Sequence, residues 1–203
     1  MSDPALAPVQ RSDEILDLIR GTFAEKGFDG ASMQDLARAA GMSVGNFYRY
    51  FPSKAAIVEA IVMRDLASVE RDFALVVSSP DPMGRLREIL RYRIDVQLCQ
   101  EDSPLWAEIT AMAHRNPEIG QICAGMEAQI VRALVRIFAR VTALAEAEAQ
   151  ARSAGHAGFV VMLAKAWALD APHKRAGAAD LKPLLLRTID ATLDEVADFK
   201  AKG

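Results

Sequence analysis

Proline placement sets the strongest limit on how this chain can fold. Pro52 is the only proline between Val9 and Ser79, and none occurs between Pro117 and Pro172. Proline breaks helices, so long proline-free stretches with apolar residues at three- and four-residue steps read as helix. The residue choice agrees: 36 Ala and 19 Leu stand against 5 Thr and 3 Tyr, which favours helices over strands. An all-α chain of about nine helices is expected, and a β-sandwich or barrel is excluded. With 51% hydrophobic residues and a net charge of −3, the 203 residues can bury a sizeable core without disulfides or metal.

Several function classes drop out early. Cys99 and Cys123 form no CxxC pair, and His114, His156 and His173 are scattered. No metal and no cofactor is expected on that spacing. The opening MSDPALAPVQRSDE lacks a basic start followed by an apolar run, so no secretory signal is expected. The longest apolar stretch, residues 157–169, is too short to span a membrane and carries Lys165. The expectation is a soluble, cytoplasmic protein without a membrane partner.

Three segments are expected: a flexible arm over residues 1–10, a small helical domain over 11–57 and a larger bundle over 58–203. Ile15, Leu18, Ile19 and Phe23 mark a first helix that stops at Gly27, with Phe28 folding back over its last turn. Ser32 and Asp35 form a capping box for a short second helix ended by Gly41. Ser43 caps a third helix running to about Tyr50, and Pro52-Ser53 starts a long fourth. Ser78 to Pro82 is a breaker, after which five further amphipathic or apolar helices follow.

Two short helices joined by a glycine-containing turn are the ingredients of a helix-turn-helix. On the second of them Phe47 faces inward, which leaves Val44, Gly45, Asn46, Tyr48, Arg49 and Tyr50 on the other side. Small residues near its start suit close approach to a groove, and tyrosine hydroxyls suit phosphate oxygens. The run GMSVGNFYRYFPSK, Gly41 to Lys54, resembles the turn, recognition helix and fourth-helix start of the TetR family of bacterial transcriptional regulators. The resemblance covers about the first 50 residues of the folded part; beyond them only the helix order matches. It implies that Ser32 binds phosphate and Gln34 faces base edges. It also implies that Val44, Gly45 and Asn46 read the major groove, Tyr48 and Tyr50 hold the backbone, and Lys54 binds phosphate. Ser43, capping the recognition helix, joins this DNA-binding set. Val44 stands where many relatives carry a polar residue, so its contact is expected to be apolar, with a thymine methyl. Residues 1–64 carry 7 Lys/Arg and 8 Asp/Glu, a net of −1, so a shallow salt dependence is expected.

The resemblance further implies a homodimer on a palindromic operator, double-stranded DNA as partner, and a small-molecule effector held in the bundle. Met63, Tyr92, Cys99, Trp106, Met112, Met126, Phe138, Phe159 and Met162 are candidates to line an apolar or amphipathic effector pocket, because Met and aromatic side chains adapt to such ligands. Phe159, Leu163 and Trp167, with the seam Leu181, Leu185, Ile189, Leu193 and Val196, are expected at the subunit interface. No catalytic residues are expected. Gly41 to Gly45 matches the hydrolase pattern G-x-S-x-G, but that elbow needs a preceding strand and here a helix precedes it. The alternative is a helical small-molecule-binding or protein-interaction module without DNA binding.

Overall fold

The computed structural model describes residues 6–97, 103–169 and 178–199, and the described elements are all helical. They are α1 (Leu6–Gly30), α2 (Met33–Ala39), α3 (Val44–Tyr50), α4 (Lys54–Ser78), α5 (Pro82–Tyr92), α6 (Ser103–Ala113), α7 (Pro117–Thr142), α8 (Glu146–Leu169) and α9 (Ala178–Ala197). A π-helical turn, Arg93–Gln97, continues α5. Residues 6–10, expected in an arm, already belong to α1. Pro8 does not prevent this, because in a first turn its missing N–H would have had no partner anyway. Residues 1–5 lie outside the described residues.

The chain packs as two units, residues 1–65 with 104–124 and residues 66–103 with 125–203, so α4 and α7 each contribute to both. In the first unit Ile15, Ile19, Phe23, Leu36, Phe47, Ile57 and Ile61 are fully buried, joined by Leu105 and Ile109 of α6. Gly27 breaks the path of α1 with φ +67°, a left-handed conformation that glycine adopts freely. The break turns Phe28 back so that its ring stacks on Phe23, with centroids 4.6 Å apart. Polar contacts fix the same turn. Glu108 Oε2 accepts the Phe28 N–H at 3.3 Å, and Arg115 pairs with Asp29 at 3.2 Å. Trp106 Nε1 donates to Asp65 on α4 at 2.9 Å.

The second unit is built around Phe138, Leu134 and Ile137 of α7, Leu86 and Ile89 of α5, Val160 of α8 and Leu193 of α9. Residues expected in a subunit seam lie in this unit. Ile189, Leu193 and Val196 are buried in this unit's own core, with Leu181 and Leu185 packed half-buried against it. Trp167 is buried too and donates from Nε1 to the Ile94 carbonyl of the π-helical turn at 3.0 Å. The reason is physical: a three-four apolar stripe states that a helix face is covered, and α8 and α5 of the same chain cover this one. Ion pairs reinforce the packing of α9. Arg87 reaches Asp190 at 3.0 Å and Asp194 at 2.7 Å, Arg91 reaches Asp190 at 2.6 Å, and Lys182 pairs with Asp95. Burial pushes the Asp190 carboxyl up, but its hydrogen bonds from Arg91 and Arg87 outweigh that and hold it below the ordinary aspartate range.

Candidate nucleic-acid interface

The geometry of α2 and α3 follows from their caps. Ser32 Oγ accepts the Asp35 N–H at 3.1 Å, and Asp35 Oδ2 accepts the Ser32 N–H at 3.0 Å, a complete capping box. Lys26 Nζ adds an ion pair to Asp35 at 2.8 Å. Its hydrogen bond, followed by those from Ser32, holds the Asp35 carboxyl far below the ordinary aspartate range. The Ser32 hydroxyl also donates to Asp35 at 2.6 Å, so the expected phosphate ligand is engaged in the cap. Gly41 ends the α2 region with φ +65°. Ser43 Oγ then accepts the Asn46 N–H at 3.3 Å and opens α3.

Phe47 is the buried residue of α3, and its ring leans on Phe51 at 5.5 Å. That single anchor orients the helix and turns its remaining residues out. Tyr48 is 46% exposed, Val44 and Tyr50 are each 37% exposed, and Gly45, Asn46 and Arg49 are exposed as well. A Cβ at Gly45 would meet nothing within 4 Å, so nothing in the fold itself requires a glycine there. Gln34 on α2 is exposed. Arg49 was absent from the expected DNA-contact set, yet it lies nearly opposite Phe47 and forms no ion pair or hydrogen bond among the described residues. A step of two residues from buried Phe47 places it on the outermost face, a signal that periodicity already contained.

Lys54, expected at phosphate, has a place in the fold as well. Its ammonium donates to the backbone carbonyls of Phe28 at 2.6 Å and Asp29 at 3.1 Å and lies over the Phe28 ring at 5.7 Å. It fastens the α1–α2 turn to the start of α4. Ser43 is likewise a cap, and the helical residues before it supply no strand for a nucleophile elbow.

Residues 15–61 match the family model described as bacterial regulatory proteins, tetR family. Over these residues the chain is similar to the tetR family. Among curated relatives, the transcriptional regulator UidR of Escherichia coli K12 is 39% identical over 108 residues, covering 52% of this chain and 53% of the relative. The chain thus spans about half the length of the curated relatives it matches first. Among solved structures, Salmonella enterica GusR superposes with a TM-score of 0.68 at 23% identity, covering 98% of both chains. AibR, solved in complex with isovaleryl coenzyme A and operator DNA, gives a TM-score of 0.59 at 19% identity, covering 88% of this chain and 97% of that one. At these identities the structures establish a shared fold.

The expected effector residues are not all of one kind. Met63, Tyr92, Phe159 and Met162 are exposed on the single chain, whereas Met112 and Phe138 are buried and Trp106 and Met126 are half-buried. They divide between the two units: Met63, Trp106 and Met112 fall in the first, the others in the second. Cys99 lies outside the described residues. Of the expected interface residues, Phe159 is exposed and Leu163 half-buried. His114 is exposed, while Glu108 serves the Phe28 amide.

Proposed function

We propose that this protein is a homodimeric DNA-binding transcriptional regulator, a repressor released from a palindromic operator by a small apolar or amphipathic effector. The observation that carries the reading is the outward row Val44, Gly45, Asn46, Tyr48, Arg49 and Tyr50 on a helix anchored by Phe47 alone. Two tyrosines and an arginine stand exposed on one seven-residue helix. They suit a major groove flanked by phosphates. In this reading Val44 meets a thymine methyl, Asn46 and Gln34 meet base edges, and Tyr48, Arg49 and Tyr50 hold the backbone. Gly45 lets the groove edge come close. Ser32 and Lys54 act at one remove, by fixing α2 and the α1–α2 turn.

The subunit interface is assigned to the outward faces of α8 and α9. Phe159 and Met162 are exposed there at 37% and 55%, with Leu184 of α9 at 50%. Glycines at 155 and 158 leave room for a second backbone, since a Cβ at either would meet nothing within 4 Å. The core residues Ile189, Leu193 and Val196 take no part. Two-fold symmetry then spaces the recognition helices about 34–36 Å apart, facing successive major grooves. The effector acts through α4, which begins beside α3. A hundredfold loss of operator affinity requires about 2.7 kcal/mol of preference of effector for the released state.

Selection of genomic DNA fragments by the purified protein tests the reading. Enrichment of one two-fold symmetric sequence is expected. Recovery of fragments at their input frequencies would leave a ligand-binding or protein-interaction module without DNA binding.

A further inference from the structure

Most arginines of this chain are answered by an acid: Arg11 by Glu14, Arg64 by Asp17, Arg85 by Glu88, Arg93 by Asp72 and Arg152 by Glu148. Arg132, Arg136 and Arg140 on α7 are different. They follow one another at four-residue steps, all three are exposed, and among the described residues none makes an ion pair or hydrogen bond. Like charges at that spacing destabilise a helix by a few tenths of a kcal/mol per pair, about 0.2–0.5. The fold therefore gains nothing from the row.

The row continues toward the helix N-terminus through Ala128 and Gly125, both exposed and spaced by four and three residues. Gly125 sits inside α7, where a glycine costs about 0.5–1 kcal/mol relative to alanine. A Cβ there would meet nothing within 4 Å, so no neighbour in this chain demands the glycine. One continuous face thus has a flat end of glycine and alanine and an end with three unanswered guanidinium groups.

We propose that this face of α7, from Gly125 to Arg140, docks a helix of a partner protein that carries carboxylates at four-residue spacing. Charge and period decide the occupant. Four helical residues advance about 6 Å, so a row of Glu or Asp on a neighbouring helix meets the arginines one for one. The glycine and alanine let its backbone approach closely. A second copy of this chain is a poor occupant, because pairing this face of α7 with itself brings the arginines no carboxylate. Duplex DNA is also a poor one, since its phosphates wind about the axis and do not form a straight row.

The test uses the isotope-labelled full chain and two alanine-based helical peptides of equal composition. One carries glutamates at every fourth position, and the other has them spread around the helix. Titration followed by amide chemical shifts is expected to map the row peptide to the Gly125–Arg140 face, with the scattered peptide at least about fivefold weaker. The variant R132Q/R136Q/R140Q is expected to weaken row-peptide binding at least about tenfold. Its melting temperature should equal or exceed that of the parent, because the like-charge row is gone. Equal binding of the two peptides, or binding retained by the variant, would overturn the proposal. So would a lowered melting temperature (a structural role for the row), a changed oligomeric state (a second copy) or a reduced salt slope on duplex DNA (nucleic acid).

Discussion

In the proposed function, Tyr48 carries binding without carrying structure. Its side chain is nearly half exposed beside the buried anchor Phe47, so Tyr48→Ala should weaken operator binding at least about tenfold while leaving the melting temperature unchanged. Ala143 shows the reverse, a cost with no visible function. It closes α7 at φ +58°, where an L-residue is strained and glycine is at ease. Ala143→Gly should raise stability by about 0.5–1 kcal/mol in thermal unfolding. Asp35 ties stability to pH. Its folded carboxyl is held far below the ordinary range, so its contribution is complete above the unfolded value and fades as pH falls through the acid range. Asp35→Asn should therefore melt lower than the parent at neutral pH, and the gap should begin to close below about pH 4. The caps at Ser32 and Ser43 were legible in sequence because each is a local rule, whereas the stop expected at Gly27 is a break within α1, which runs on to Gly30. The Lys54 and Glu108 bonds to the α1–α2 turn were not legible, since their partners lie 26 and 80 residues away.

At the scale of elements, α6 and α9 teach the limits of periodicity. The α9 stripe at Ile189, Leu193 and Val196, expected as a subunit seam, is buried within the single chain, because spacing carries no information on whether the cover is the same chain or another. Phe159, Met162 and Leu184, the residues of the proposed interface, sort as outward only once the helices are packed. Leu193→Glu should unfold the second unit, because it buries a charge with no partner. Phe159→Glu with Met162→Glu should keep the helical circular dichroism and give monomers in sedimentation. A dimer that survives the pair places the interface elsewhere. For α6, Glu108→Ala should speed hydrogen exchange at the Phe28 amide, and Glu108→Gln, which keeps an acceptor oxygen, should largely restore it.

At the scale of the whole molecule, the helix order and the helix-turn-helix followed from proline placement, caps and one dense stretch of sequence, Gly41 to Lys54. The bundle was legible only as a succession of apolar helices, because Met and aromatic residues serve cores and pockets alike. Its side chains sort into exposed and buried by packing, as Met162 and Phe138 show. The central claim, that the α3 face reads DNA, is tested most directly by fluorescence anisotropy with the duplex recovered from genomic selection and a scrambled duplex of the same composition. The account predicts at least about a hundredfold preference for the selected duplex, most of which Tyr48→Ala removes. Equal affinity of the wild-type protein for the two duplexes would contradict it.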